Sequence, residues 1–154
     1  MTAGEQAQRA AVVAEALTWL GTPYHHHGRL RGVGVDCAML LAEVYCACGI
    51  IAAIDPGHYA VDWHLHRGEE LFAAWMGQAG ARHLSDPLAD AAPQPGDVGL
   101  WRFGRTYSHG GIVVRGGAVP HIVHAHIDAR RVTRSAADEC PLAGRPVRWF
   151  TLWS

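Results

Sequence analysis

Cys37 is the residue in this chain best placed to do chemistry, because of what precedes and follows it. The run Val33-Gly34-Val35-Asp36-Cys37-Ala38-Met39-Leu40-Leu41 passes at Asp36 from a Gly-punctuated segment into an apolar, helix-patterned one. Asp is a favoured N-cap residue, since its carboxylate accepts an otherwise unpaired amide of the first turn. Cys37 then opens the helix, at the positive end of the macrodipole. A thiolate there is favoured over a thiol, so the sequence predicts a pKa below the free value of about 8.5. A Cys nucleophile also needs a base. One is offered downstream by His109, in Ser108-His109-Gly110-Gly111-Ile112-Val113-Val114. Together they point to a Cys–His hydrolase with a bell-shaped pH–rate profile for the coupled pair.

Such a pair works best when a third polar group holds the imidazole in one tautomer and orientation. The chain contains no Asn, which excludes that orienter. The next β-type run, His121-Ile122-Val123-His124-Ala125-His126, places His124 and His126 on one face and His121 on the other. His124 is the expected third residue, with His126 and then His121 as alternatives. The glycines after His109 leave room for a helix or a substrate backbone to come close.

The elements that must carry these residues follow from periodicity. Residues from about 5 to 20 read as a helix with Ala10, Val13, Leu17 and Leu20 inward and Glu5, Gln8 and Arg9 toward water. Gly21 and Pro23 stop it. Tyr24 to Gly34, with the triplet His25-His26-His27, reads as a solvated polar loop. A second helix spans 37–48, apolar enough to lie buried against a sheet. Asp55-Pro56-Gly57 reads as a turn, and 62–78 as a third helix carrying Leu71, Phe72, Trp75 and Met76, with His64 and His66 on its surface. Residues 84–97 are loop-like. Short β-type runs then follow at Val98–Phe103, His109–Arg115, Ala118–Ile127, Arg131–Thr133 and Val147–Trp153. Helices first and strands later indicate an α+β fold with an antiparallel sheet, as one domain over 1–154.

Composition narrows the function classes. Apolar residues make up 49% and charged residues 18%, which marks a globular chain. The net charge of −1 gives no basic bias toward nucleic acid or an anionic membrane. No apolar run reaches the roughly 18 residues of a transmembrane helix. The N-terminus lacks a basic segment followed by an apolar core, so no secretory signal is expected and synthesis is placed in the cytoplasm. Cys37, Cys46, Cys48 and Cys140 form no CxxC pair, and Cys46 and Cys48 read as inert core thiols. No Cys/His set has the spacing of a structural metal site, and neither metal nor cofactor is expected.

Several motifs in this order carry a resemblance. Gly21-Thr22-Pro23-Tyr24, a Gly-rich stretch, then Asp36-Cys37 and an apolar helix are similar to the nucleophile region of NlpC-type cell-wall peptidases. Pro95-Gly96-Asp97-Val98 resembles that family's Pro-Gly-Asp-Leu segment, and His109 to Val113 its His-Val-Gly-Ile-Tyr strand. Ile122-Val123-His124-Ala125 resembles the strand bearing its third polar residue. Ala38-Met39 and His25-His26-His27-Gly28 depart from the usual Ser-Gly and Trp-Gly-Gly. The resemblance implies a papain-like fold, with N-terminal helices packed on a C-terminal antiparallel sheet. It implies Cys37 as nucleophile, His109 as base and then acid, and His124 as orienter. Tyr24 and Asp36 would lie on the substrate and oxyanion side. It further implies peptidoglycan as substrate, cut between D-γ-glutamyl and diaminopimelate. The short form is similar to peptidases carried on phage and gene-transfer-agent tails, which implies a tail hub or baseplate partner and action on the wall of the target cell.

Two other readings fit the same residues. One is a Cys–His amidase or acyltransferase acting outside the wall. The other is a non-catalytic structural or interaction module of a tail, with Cys37 a relic.

Overall fold

The computed structural model describes residues 1–53, 71–83 and 92–153. The first helix, α1, spans Ala3–Thr18 and is capped by Thr2, whose hydroxyl accepts from the Glu5 amide. Its inward face differs from the expected one. Arg9, Val12 and Ala16 are buried, followed by Trp19, whereas Ala10 and Leu20 are exposed. Arg9, expected to face water, lies inside because its guanidinium finds partners there. It donates to Asp97 Oδ1 at 2.9 Å, to the Pro95 carbonyl at 3.0 Å and to Thr151 Oγ1 at 3.2 Å. A buried cation is tolerated only when paired in this way.

Helix α2 spans Cys37–Ala47 and buries nearly every side of its first turns, from Ala38 to Ala42, then Val44 and Tyr45. The Tyr45 hydroxyl donates to the Gly96 carbonyl. Arg9 and Tyr45 thus hold the Pro95-Gly96-Asp97 turn from two helices, and that turn launches the first long strand. Two-residue strands β1 (Arg29–Leu30) and β2 (Gly34–Val35) pair within the loop before α2. Among the described residues the third helix, α3, covers Leu71–Gln78. The expected turn at 55–57, the first half of that helix, His64 and His66 fall outside the described residues.

The remaining strands among the described residues are β3 (Arg82–His83), β4 (Val98–Phe103), β5 (Thr106–Arg115), β6 (His121–His126), β7 (Arg131–Ala136) and β8 (Val147–Thr151). They form an antiparallel sheet in the order β3-β8-β4-β5-β6-β7. β5 starts earlier than the expected His109, because the hairpin with β4 continues to Phe103↔Thr106. β7 runs past the expected Thr133 to Ala136.

Two cores result. Leu100, Ile112, Val123 and Phe150 on one face pack with Val12, Leu40 and Val44 of the helices. Trp101, Val113, Ile122 and Leu142 form a second cluster with Phe103 and Trp149. The alternation of strand side chains between faces produces this division.

Candidate active site

Asp36 builds the nucleophile side. Its Oδ1 accepts the Met39 amide at 2.9 Å, which is the expected helix cap, and its Oδ2 accepts the His27 amide at 2.9 Å. At 1% exposure, the carboxylate ties the helix start to the preceding loop, which makes it a positioning residue. The loop itself is tightly laid. A Cβ on Gly28 would sit 2.6 Å from the Gly34 backbone, and one on Gly34 would sit 2.7 Å from His25 Cβ. His26 and His27 are half-buried and stacked at 4.0 Å, so the histidine triplet is more than a solvated loop. Tyr24 is half-buried on the same side. Burial, followed by the charges of Cys37 and Asp36, raises its pKa above the usual tyrosine value, so it stays an O–H donor.

Cys37 is half-buried at the head of α2, and its thiol faces the Ser108 carbonyl at 3.7 Å. The amides of Gly110, Ala38 and Cys37 itself also face the sulfur. The thiol therefore lies against the β5 main chain on either side of His109. Its pKa contradicts the expectation from the helix start. Burial pushes it up to about 12, and the Asp36 carboxylate adds to the rise. The amide dipoles oppose both but do not overcome desolvation.

His109 is buried on β5 opposite Trp101. The register slips just beyond, with Trp101↔His109 followed by Arg102↔Tyr107, so Ser108 is the extra residue of a bulge. His109 Nε2 lies 2.7 Å from His124 Nδ1, and His124 Nε2 lies 3.0 Å from Ser135 Oγ. A His109 whose Nδ1 is free to accept a proton must carry its hydrogen on Nε2 and donate it to His124. His124 then donates from Nε2 to the serine. Gly111 lets this happen: a Cβ there would lie 2.4 Å from Ile122 Cγ2 and 3.2 Å from His124 Cβ.

The three candidate orienters separate cleanly. His124 meets a nitrogen of His109. His126 packs edge-on to the His109 ring with centroids 5.3 Å apart. His121 is half-buried further along β6, in register with Arg115 and Ala136. Burial, with His124, His126 and Arg145 adding to it, holds His109 well below the usual imidazole value. Burial and His126 bring His124 down to about 4. The resting site therefore holds a thiol and an imidazole, both uncharged. Among the described residues no three His, Cys, Asp or Glu side chains are placed to hold a metal ion.

Sequence reasoning missed Ser135 and Arg145. Ser135 lies on the part of β7 that periodicity did not reveal, and it shares the His124 face because it opposes Ile122. Arg145, before β8, stacks on Phe103 beside His109, and no short-range pattern marks it.

No family model matches this chain, and no curated protein does. Solved structures do match. The NlpC/p60 domain of the peptidoglycan hydrolase SagA superposes with a TM-score of 0.57 at 23% identity, over 91% of this chain and 96% of that one. The fold is the NlpC/p60 fold. NlpC2 of Trichomonas vaginalis gives a TM-score of 0.57 at 19% identity over 93% of this chain. A lipoprotein-like NLP/P60 protein of Staphylococcus aureus subsp. aureus Mu50 gives 0.57 at 20% over 92%. This chain spans less than half of each of those two, 46% and 41%. The expected α+β architecture, helices on an antiparallel sheet, is the one observed. In the NlpC/p60 fold of this chain, Cys37 heads the helix packed on β5, and His109 and His124 occupy adjacent strands.

Proposed function

We propose that this chain is a cysteine peptidase that hydrolyses peptide bonds in peptidoglycan stem peptides. The observation that carries the reading is the 2.7 Å His109–His124 hydrogen bond beside a thiol seated against the main chain that flanks His109. With Nε2 bound to His124, Nδ1 of His109 is the nitrogen left to take the thiol proton. The sulfur attacks the scissile carbonyl carbon, and the Cys37 amide at the helix start donates to the oxyanion. His109 Nδ1–H then protonates the leaving amine as the C–N bond breaks, leaving a thioester on Cys37. Water, deprotonated by His109, attacks the thioester and releases the acid and the thiol. General acid–base work of this kind contributes about 10²- to 10⁴-fold. Tyr24 offers a further O–H donor on the substrate side.

The finer reading is cleavage between D-γ-glutamyl and diaminopimelate by a protein carried on a phage-like or gene-transfer-agent tail, docked to a hub or baseplate protein. The motif resemblance supports the bond, SagA is described as a peptidoglycan hydrolase, and the tail setting rests on analogy alone. The test is digestion of diaminopimelate-type peptidoglycan by wild type and Cys37→Ala, with released fragments weighed by mass spectrometry. Stem-peptide fragments from wild type alone support the peptidase, and their masses name the bond. Fragments from neither protein favour the second reading, a non-catalytic module, to which the uncharged resting pair also lends support.

A further inference from the structure

Phe103 and Arg145 form a platform next to the imidazoles that the proposed chemistry does not use. The Phe103 ring lies 5.1 Å from the His109 ring and 6.0 Å from that of His126. The Arg145 guanidinium carbon sits 3.7 Å above that same ring. Arg145 is held in place from beneath: Nε donates to the Pro141 carbonyl at 2.8 Å and Nη1 to the Arg102 carbonyl at 3.3 Å. Both anchors are carbonyls, so they fix the geometry without neutralising the charge. No carboxylate among the described residues pairs with it. Among the described residues nothing accepts from the Nη2 amino group or from one Nη1 hydrogen, and the side chain is exposed. A planar, clamped guanidinium with two adjacent free donors suits a carboxylate.

We propose that Arg145 is a specificity residue that binds a substrate carboxylate flanking the scissile bond. The proposal rests on the peptidase reading for the identity of the substrate. A γ-linked glutamyl residue keeps its α-carboxylate free beside the bond, and diaminopimelate carries free carboxylates on the other side. The positive charge of Arg145 reaches His109 and His126 and disfavours their protonated forms. A carboxylate seated on Arg145 relieves part of that repulsion, so the matched substrate also makes His109 a readier base.

The test uses two pairs of γ-D-glutamyl-diaminopimelate peptides. In one pair the glutamyl α-carboxylate is free or converted to its carboxamide, and in the other the same change is made on diaminopimelate. Binding is measured by calorimetry on the full chain bearing Cys37→Ala, alone and with Arg145→Gln or Arg145→Lys. In at least one pair the acid is expected to bind about tenfold more tightly than the amide. Arg145→Gln removes that difference by weakening the acid alone, and Arg145→Lys keeps part of it. No acid preference in either pair, equal weakening of acid and amide by Arg145→Gln, or no binding at all overturns the proposal. Turnover by the Cys37 protein is read separately. Acid-selective, Arg145-dependent binding without cleavage sinks the peptidase reading and leaves the carboxylate subsite standing.

Discussion

Lowering the pH from 7 to 4 should destabilise this protein through the same imidazoles that form the site. His124 is fully buried and its folded-state pKa is about 4, against about 6.5 for a free imidazole. Between those values the unfolded chain binds a proton that the folded one refuses, so stability falls as pH falls through the window. A shift of one unit corresponds to about 1.4 kcal/mol, so His124 alone should remove about 3 kcal/mol by pH 4. His109 acts in the same direction, its pKa being held well below the usual value by burial and by His124, His126 and Arg145. Against a typical folding free energy of about 5–15 kcal/mol, that is a large fraction. The assay is urea unfolding at pH 7, 5.5 and 4 for wild type and His124→Gln. The variant is expected to be less stable at pH 7 and to show a shallower decline toward pH 4. Equal slopes for the two proteins would refute the burial argument.

Three other outcomes follow from particular contacts. The site holds a neutral pair, so kcat/KM on a stem peptide should rise through an acid limb below pH 6.5 and then stay level to pH 9, in place of the bell expected from a low thiol pKa; an acid limb at or above 6.5, or a fall between pH 7 and 9, contradicts it. Gly111→Ala forces a Cβ to within 2.4 Å of Ile122 Cγ2, and should cost about 1–3 kcal/mol in urea unfolding and lower kcat by at least about tenfold as His124 is displaced; unchanged kcat would show that the approach of β6 does not matter. Arg9→Ala strands Asp97 without its cation and should destabilise by about 3–5 kcal/mol, and a loss under about 1 kcal/mol would mean that the buried pair is dispensable.

What was legible in the sequence is what is local. The Asp36 cap closes over three residues, and the order of His109 and His124 along adjacent strands needs only the period of a β-strand. What was hidden depends on partners far along the chain. Alanines at 3, 7, 10, 11, 14 and 16 blur the apolar stripe of α1. Its true face is set by Arg9, whose partners Pro95, Asp97 and Thr151 lie 86, 88 and 142 residues away. The direction of the Cys37 shift was misread for the same reason. The helix start is visible in sequence and favours the thiolate, whereas the burial that overrides it is made by tertiary packing. Ser135 was missed because β7 is an edge strand with a largely polar run, Thr133-Arg134-Ser135, where apolar alternation fades.

In the proposed peptidase, an imidazole as third residue gives the site its electrical character. A carboxylate against His109 Nε2–H would favour the imidazolium and raise its pKa. His124 offers a lone pair and no charge, in a position where a buried charge would itself need a partner. Orientation is kept and basicity is not enhanced. The free protein therefore holds the Cys37 thiol and the His109 imidazole neutral, and in the proposed reaction charge would arise only when thiolate and imidazolium form together by transfer of one proton. That step brings no net charge into the interior. Dipoles already in place offset the separation: the amides of Cys37, Ala38 and Gly110 toward the sulfur, and the His124–Ser135 chain behind the imidazole. Electrostatic help of this preorganised kind needs no rearrangement at the moment of reaction. Its effectiveness depends on position, which is why so much of the local structure is spent on it. The doubly bonded Asp36 fixes the helix start, the close approach at Gly111 brings β6 to His109, and the bulge at Ser108 brings the β5 main chain against the thiol.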